Sequence, residues 1–247
     1  MVVYASKSDA ADGDYDPYFS DAVFSCKDTY WGGSKYWPES GYLKFIAYYP
    51  SGIGTASGNA TTNITITGVD ATDQKDILYT NLSAAHESAR KSTVAMEFHH
   101  ALAQVIVTAK VSDANMTDVN VTKVVLSGAP YSGDLTLTGT NATWDNQAPI
   151  LSVTMPNTIA STDLTATQKT LGTGLLVVPG EHEATLTVTY TIGGLETTTD
   201  PIEIDGTWEK GKKYIYNLSI GLDEIKLDPY VDDWDDAESM PYSPSVL

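Results

Sequence analysis

The clearest pattern in the chain is a strict alternation of apolar and polar positions near residue 190. Ala184–Ile192 reads ATLTVTYTI, which places a row of threonines on one face and apolar side chains on the other. This period of two predicts a half-buried β-strand. Gly193-Gly194 follows as a two-residue turn and leads into Leu195–Ile204, so the segment predicts a β-hairpin.

Similar short runs recur along the chain at intervals of 8–12 residues, separated by Gly, Asn and Pro. No segment holds an apolar period of 3.6 residues over 12 positions. The pattern predicts an all-β protein built as a sandwich. Strand spacing is irregular before Lys91 and regular after it. We therefore predict an N-terminal β-sandwich domain over residues 1–91 and a C-terminal one over residues 92–247, which ends in an acidic tail.

Four local expectations depend on single residues. The segment YWGGSKYWP should form a hairpin around its Gly-Gly pair, and Ala84–Lys91 should form one helical turn or a polar connector. The long apolar stretch from Val94 to Val111 should bend at His99-His100. The strand-like run Ile225–Val231 should be interrupted by Pro229, because proline cannot donate a ladder hydrogen bond.

Charge and cysteine content then narrow the classes of function. The 247 residues carry a net charge of −18 and include a single arginine, Arg90. Binding to nucleic acid needs clustered basic side chains, so this class of partner is not expected. The single cysteine, Cys26, excludes an internal disulfide or a site with several cysteine ligands. No apolar run is long enough to predict a membrane span.

No set of side chains has the spacing of a catalytic or metal site. Cys26 has no histidine placed beside it by the sequence, and His99 and His100 would point to opposite faces of a strand. The acidic run at Asp12 begins like a calcium loop but lacks the required Gly and Glu. We predict no catalytic, cofactor-binding or metal-binding residues and no enzymatic activity. A hydrolase using a pair of carboxylates remains an alternative.

An aromatic cluster between residues 31 and 49 allows two interpretations. If exposed, Trp31, Trp37 and Tyr48 could stack on the apolar face of a sugar, and the chain would be a cell-surface glycan-binding module. If buried, these rings form the core of the first domain. The alternation along Tyr42–Tyr49 favours burial for about half of them.

Three patches in order resemble the fimbrillin-like proteins of the Bacteroidales. They are Tyr36–Pro50 (YWPESGYLKFIAYYP), Val94–Val105 (VAMEFHHALAQV) and Trp208–Leu218 (WEKGKKYIYNL), the last followed by VDDW at Val231–Trp234. Their order and spacing agree across residues 36–234. The resemblance implies two β-sandwich domains with transthyretin-like topology. It also implies a structural or adhesive subunit of a type V pilus on the bacterial surface.

The same resemblance implies a route of export and assembly. Members of the family are exported as lipoproteins to the outer membrane, and a neighbouring subunit then donates a C-terminal strand to an opened groove. No lipobox is visible here, and Val2–Ala5 resembles the second strand of the family, so we expect an N-terminal segment to precede this chain. Partners would be other pilin subunits and host or bacterial surface receptors.

The tail after Trp234 contains the residues that could act as a donor strand. Its apolar positions are Met240, Tyr242, Val246 and Leu247, which could fill a groove on a neighbouring subunit. The alternative is a frayed terminus. Two prolines in the tail disfavour a central strand more than an edge strand.

Overall fold

The computed structural model describes residues 1–28, 30–86, 94–149, 152–155, 162–222 and 225–234. All regular structure in these ranges is β, which confirms the all-β prediction. In chain order the strands are β1 Val2–Ser8, β2 Asp16–Val23, β3 Ser25–Lys27, β4 Tyr30–Gly32, β5 Tyr42–Tyr49, β6 Thr55–Gly58, β7 Ile64–Asp70, β8 Leu78–Thr80, β9 Ser83–His86, β10 Phe98–His100, β11 Ala103–Val111, β12 Val119–Ser127, β13 Pro130–Leu137, β14 Ala142–Pro149, β15 Val153–Thr154, β16 Thr162–Asp163, β17 Lys169–Val177, β18 Gly180–His182, β19 Thr185–Ile192, β20 Leu195–Thr198, β21 Ile202–Glu203, β22 Gly206–Trp208, β23 Lys212–Ile220 and β24 Ile225–Asp233.

The strands form two sandwiches. In the first, a sheet with the order β10-β8-β5-β1-β2, with β9 also paired to β5, faces a sheet with the order β14-β13-β7-β6. In the second, β17-β11-β23-β24 faces a sheet in which β12 and β19 are central. Small pairings add β15 and β16 to β12, and β20 and β21 to β19. The strands β11 and β23 are parallel. The transthyretin-like topology stays a prediction.

The hairpin predicted from alternation is present. In β19 the apolar residues Leu186 and Val188 are fully buried, and the alternating threonines at 185, 187 and 189 are half-buried. Gly193 and Gly194 both have positive φ angles, as a tight hairpin turn requires. The period of two therefore identifies the buried face of β19, and the two-residue turn sets its register with β20.

Strand β1 is buried on both faces. Val2 and Tyr4 point into the core of the first sandwich, whereas Val3 and Ala5 belong to a separate apolar cluster on the other side of the same sheet. That second cluster includes Phe24 from the segment after β2, together with residues of β5 and of the segment before β10. The first sandwich therefore has an additional layer that covers the outer face of this sheet. Strand β1 lies between that layer and the inner core.

A long-range ladder crosses the predicted boundary near Lys91. The partner of β7 is β13, with Leu135 opposite Ile66 and Leu137 opposite Ile64. Since β14 continues this sheet and β10 pairs with β8 in the other one, three strands from beyond residue 92 contribute to the first sandwich. The limits of residues 1–91 and 92–247 stay a prediction, and any such division is crossed by these hydrogen bonds.

The four local predictions that depend on single residues have different outcomes in the structure. The strand β24 continues through Pro229, so the predicted interruption is wrong; an edge strand tolerates proline. His99 and His100 lie within β10, and the chain turns at Ala101-Leu102 rather than at the histidines. The early hairpin turns between β3 and β4, before the Gly-Gly pair. The expected helical turn at Ala84–Lys91 overlaps β9, and residues 87–93 lie outside the described ranges.

Candidate functional site

The last strand, β24, forms an exposed edge of the second sandwich. It pairs over nine residues with β23, from Ile220 opposite Ile225 to Lys212 opposite Asp233. Within the described ranges it has no strand on its other side. Ile225 and Leu227 pack on the core, but Tyr230 and Val231 are 54% and 50% exposed. This edge presents backbone groups and apolar side chains to solvent together, which is the surface that strand addition uses.

The end of β24 is fastened to the first sandwich. The Trp234 backbone N–H donates to the Gly211 carbonyl at 2.9 Å, and its indole stacks on the His100 ring with centroids 3.6 Å apart. Below the stack, His100 Nδ1 lies 2.8 Å from a carboxylate oxygen of Asp76. The edge strand therefore ends at a fixed point on the junction of the two sandwiches.

An ion pair precedes this fixed point. Lys212 Nζ donates to Asp233 Oδ1 across the ladder between β23 and β24. This hydrogen bond raises the pKa of Lys212. The two side chains are 35% and 75% exposed, so the pair contributes little to stability.

The predicted donor residues follow this strand directly. Met240, Tyr242, Val246 and Leu247 all lie in residues 235–247, outside the described ranges. Their role in polymerisation stays a prediction. The acidic run that begins at Asp232 continues into the same undescribed segment.

The opposite edge of the same sheet is closed by a side chain of the first sandwich. The Gln74 amide accepts from the Leu176 backbone N–H at 2.7 Å and donates to the Leu176 carbonyl at 3.1 Å. Leu176 lies on β17, at the outside of the sheet. Gln74 therefore occupies, with one amide, the backbone groups that another strand would use.

Replacing Gln74 by Ala is expected to lower the free energy of unfolding by about 1–3 kcal/mol, because it leaves the Leu176 N–H and carbonyl without these partners. Urea denaturation followed by circular dichroism measures this loss. The matched control is Lys75→Ala, since Lys75 is exposed and its ion pair is with the exposed Asp73. An equal loss in both variants would contradict a closing role for Gln74.

The aromatic cluster does not present its three predicted sugar-binding rings on one exposed face. Tyr48 is 3% exposed in the first core, where burial raises the pKa of its hydroxyl. Trp37 and Trp31 are half-buried; Trp37 packs edge-on against Phe45, and Trp31 packs edge-on against Tyr49. Tyr48 is therefore not available for stacking. Glycan binding by this cluster stays untested.

The remaining candidates for chemistry are dispersed. Cys26 is exposed on β3, opposite Trp31. His99 and His100 point to opposite faces of β10, as predicted, with His100 buried and His99 half-buried. Among the described residues, no three His, Cys, Asp or Glu side chains are grouped closely enough to hold a metal ion. The same ranges contain no helix that is long and apolar enough to span a membrane.

The sequence analysis did not predict one pocket of the structure. Trp144 on β14 lines a pocket where the two sandwiches meet, together with residues near Pro179 and Glu209. The sequence signal was only a tryptophan in a short strand between Thr and Asp. Because the three segments are far apart in sequence, no local motif could have predicted that they meet.

Comparisons with known proteins agree with this architecture. The sequence model of the family described as fimbrillin-like matches residues 1–234. A candidate fimbrium subunit of Bacteroides uniformis, Fim1C, is 24% identical over 245 residues, which cover 94% of this chain and 76% of the relative.

Two crystal structures share the fold. A fimbrial protein from Bacteroides vulgatus superposes with a TM-score of 0.71 at 18% identity, covering 95% of this chain and 92% of the other. A candidate cell adhesion protein from Bacteroides uniformis superposes with a TM-score of 0.60 at 18% identity, covering 95% and 91%. With a family match that spans nearly the whole chain, this protein belongs to the fimbrillin-like family.

Proposed function

We propose that this protein is a structural or adhesive subunit of a cell-surface fimbria and that it polymerises by adding a strand from one subunit to a sheet of the next. The family comprises fimbrial subunits, which are not enzymes. Strand addition supplies a backbone ladder and alternating side-chain contacts, so a single segment can join two subunits firmly. Its other partners would be the remaining pilin subunits and surface receptors.

The observation that carries this proposal is the geometry of β24. It is a nine-residue edge strand with a free outer side in the described ranges, and it is fastened at Trp234. The segment with Met240, Tyr242, Val246 and Leu247 begins directly after that point. A tail that starts from a fixed point on the surface is well placed to reach a neighbouring subunit.

Location follows from the same proposal. A fimbrial subunit functions outside the cell, and kinship with the family supports export as a lipoprotein to the outer membrane. The net charge of −18 suits a subunit that has to remain soluble before assembly.

Deleting residues 235–247 is expected to abolish polymerisation in cells that express the full precursor. The deletion removes the four predicted donor side chains, and a large apolar side chain contributes about 1.5–3 kcal/mol when fully buried. The measurement is the ladder of detergent-resistant oligomers on gels, together with fibres seen by electron microscopy. A second variant replaces Met240, Tyr242, Val246 and Leu247 by Ser and keeps the length of the tail; it should reduce the ladder strongly.

The matched control is Leu195→Ser. Leu195 is 75% exposed at the β19–β20 turn, so this variant removes an exposed apolar side chain away from the tail. It should assemble as the unaltered subunit does. Normal ladders from the deletion variant would refute the donor role of the tail, and an absence of fibres from the unaltered subunit would refute the fimbrial role.

A further inference from the structure

We propose that the pocket beside Trp144 binds a neutral pyranoside, with the indole as a stacking platform for one face of the sugar ring. The pocket has a volume of about 460 Å³ and lies between β14 of the first sandwich and the turn before β23 of the second. This volume falls within the roughly 300–1,000 Å³ typical of small-ligand sites, which often occur where two structural units meet.

The indole is held in a fixed orientation. Trp144 Nε1 donates to the Ala101 carbonyl at 2.7 Å, and the ring also packs against the core of the first sandwich. Gly133 gives the ring its space, since a Cβ there would lie 3.3 Å from Trp144 Cε3. A half-buried ring fixed in this way can stack on a ligand with little loss of side-chain entropy.

Polar groups of several kinds line the same pocket. Gln147 Nε2 donates to the Pro179 carbonyl at 2.6 Å, and its amide lies across Gly180. A Cβ at Gly180 would lie 2.5 Å from the Gln147 amide atoms and would displace this amide, and the φ of 147° at this position also favours glycine. Glu209 and Lys210 also line the pocket, and Lys210 Nζ donates to Asn141 Oδ1 at 2.7 Å.

This combination matches a sugar better than other small ligands. A pyranose has an apolar face of C–H groups, for which an aromatic ring is suited, and a rim of hydroxyls that both donate and accept hydrogen bonds. The carboxylate of Glu209, the amide of Gln147 and the ammonium of Lys210 offer both acceptors and donors around one indole. The net charge of −18 disfavours anionic sugars, so we infer a neutral one.

The test measures saturation-transfer NMR of the complete chain with methyl β-D-glucopyranoside, methyl β-D-galactopyranoside, methyl α-D-mannopyranoside and N-acetylglucosamine. At least one should bind with a Kd of about 1 mM, as expected for a small ligand on an open site. The strongest transfer should be to C–H groups on one face of the ring. This experiment uses the monomer and does not depend on assembly.

Trp144→Ala should weaken the binding of that sugar by about tenfold or more. Glu209→Gln should weaken it several-fold and leave the thermal melt unchanged, because Glu209 is exposed. If Trp144→Ala does not fold, Glu209→Gln decides the question. The matched controls are Trp37→Ala, in the separate aromatic cluster, and Glu196→Gln, on exposed β20; both should bind as the unaltered chain does.

Three results would overturn the proposal. These are no transfer to any of the four sugars, unchanged affinity in a folded Trp144→Ala or in Glu209→Gln, and an equal loss in Trp37→Ala. The last result would indicate that the sugar binds at the cluster of Trp31 and Trp37 instead.

Discussion

Replacing Trp208 by Ala is expected to lower the free energy of unfolding by about 3–5 kcal/mol, the usual cost of truncating a fully buried Trp. Trp208 is 1% exposed and lies in the core of the second sandwich. Its ring stacks on His182 at 3.5 Å, and its Nε1 donates to the Tyr216 hydroxyl at 3.0 Å. Truncation therefore creates a large cavity and removes a stacking partner and a buried hydrogen bond at once.

The surroundings of Trp208 leave little room for the cavity to collapse. His182 is itself fixed by a contact of 2.8 Å between its Nε2 and the Ile204 carbonyl, and burial lowers its pKa, which favours the neutral ring. Tyr216 lies on β23, in the middle of its sheet. Since these neighbours are held by their own partners, they cannot move far to fill the space.

Urea denaturation of Trp208→Ala, followed by circular dichroism, measures the loss. Tyr216→Phe isolates the hydrogen bond and should cost about 1–3 kcal/mol, because it leaves the indole N–H buried without its acceptor. The control is Tyr230→Ala on exposed β24, which should change stability by no more than about 0.5 kcal/mol. A cost for Trp208→Ala as small as that of the control would show that the second core does not depend on this ring.

Sequence reasoning succeeded where the information was local. The alternation in β19 gave its buried face, and the Gly-Gly pair gave the hairpin, because both depend on neighbours in the chain. The resemblance carried by the three ordered patches gave the family. All three patches contain strands: the first contains β5, the second contains β10 and the start of β11, and the third contains most of β23 with the turn before it.

Sequence reasoning failed where the structure depends on contacts between residues that are far apart in the chain. The pairing of β13 with β7 joins residues about 70 apart, and nothing in either strand identifies its partner. Pro229 suggested an interruption, but its place at a sheet edge removes the cost. Trp144 gave no signal, because its pocket needs Pro179 and Glu209 from other segments. Of the three rings predicted as a sugar-binding platform, Tyr48 is a core residue and is not available for stacking, whereas glycan binding by the cluster stays a prediction.

The second large effect on the free energy of unfolding is expected from substitutions in β1, which is buried on both faces. Val3→Asn should lower the free energy of unfolding by about 3 kcal/mol or more, because it places an amide in an apolar cluster. Val3 is 0% exposed and belongs to the outer cluster with Phe24 and Phe45. Val2→Asn should cost a similar amount, since Val2 is 2% exposed in the core on the other side of the same sheet.

The matched control is the same substitution in the neighbouring strand. Val23 lies on β2, directly opposite Val2, but it is 60% exposed, so Val23→Asn should change stability by no more than about 0.5 kcal/mol. Urea denaturation midpoints of the three variants compare the two faces directly. If Val3→Asn behaved like Val23→Asn, the outer cluster would contribute little, and β1 would be a strand with one buried face. Equal losses at Val2 and Val3 would show that the covering layer stabilises the first sandwich as strongly as its inner core does.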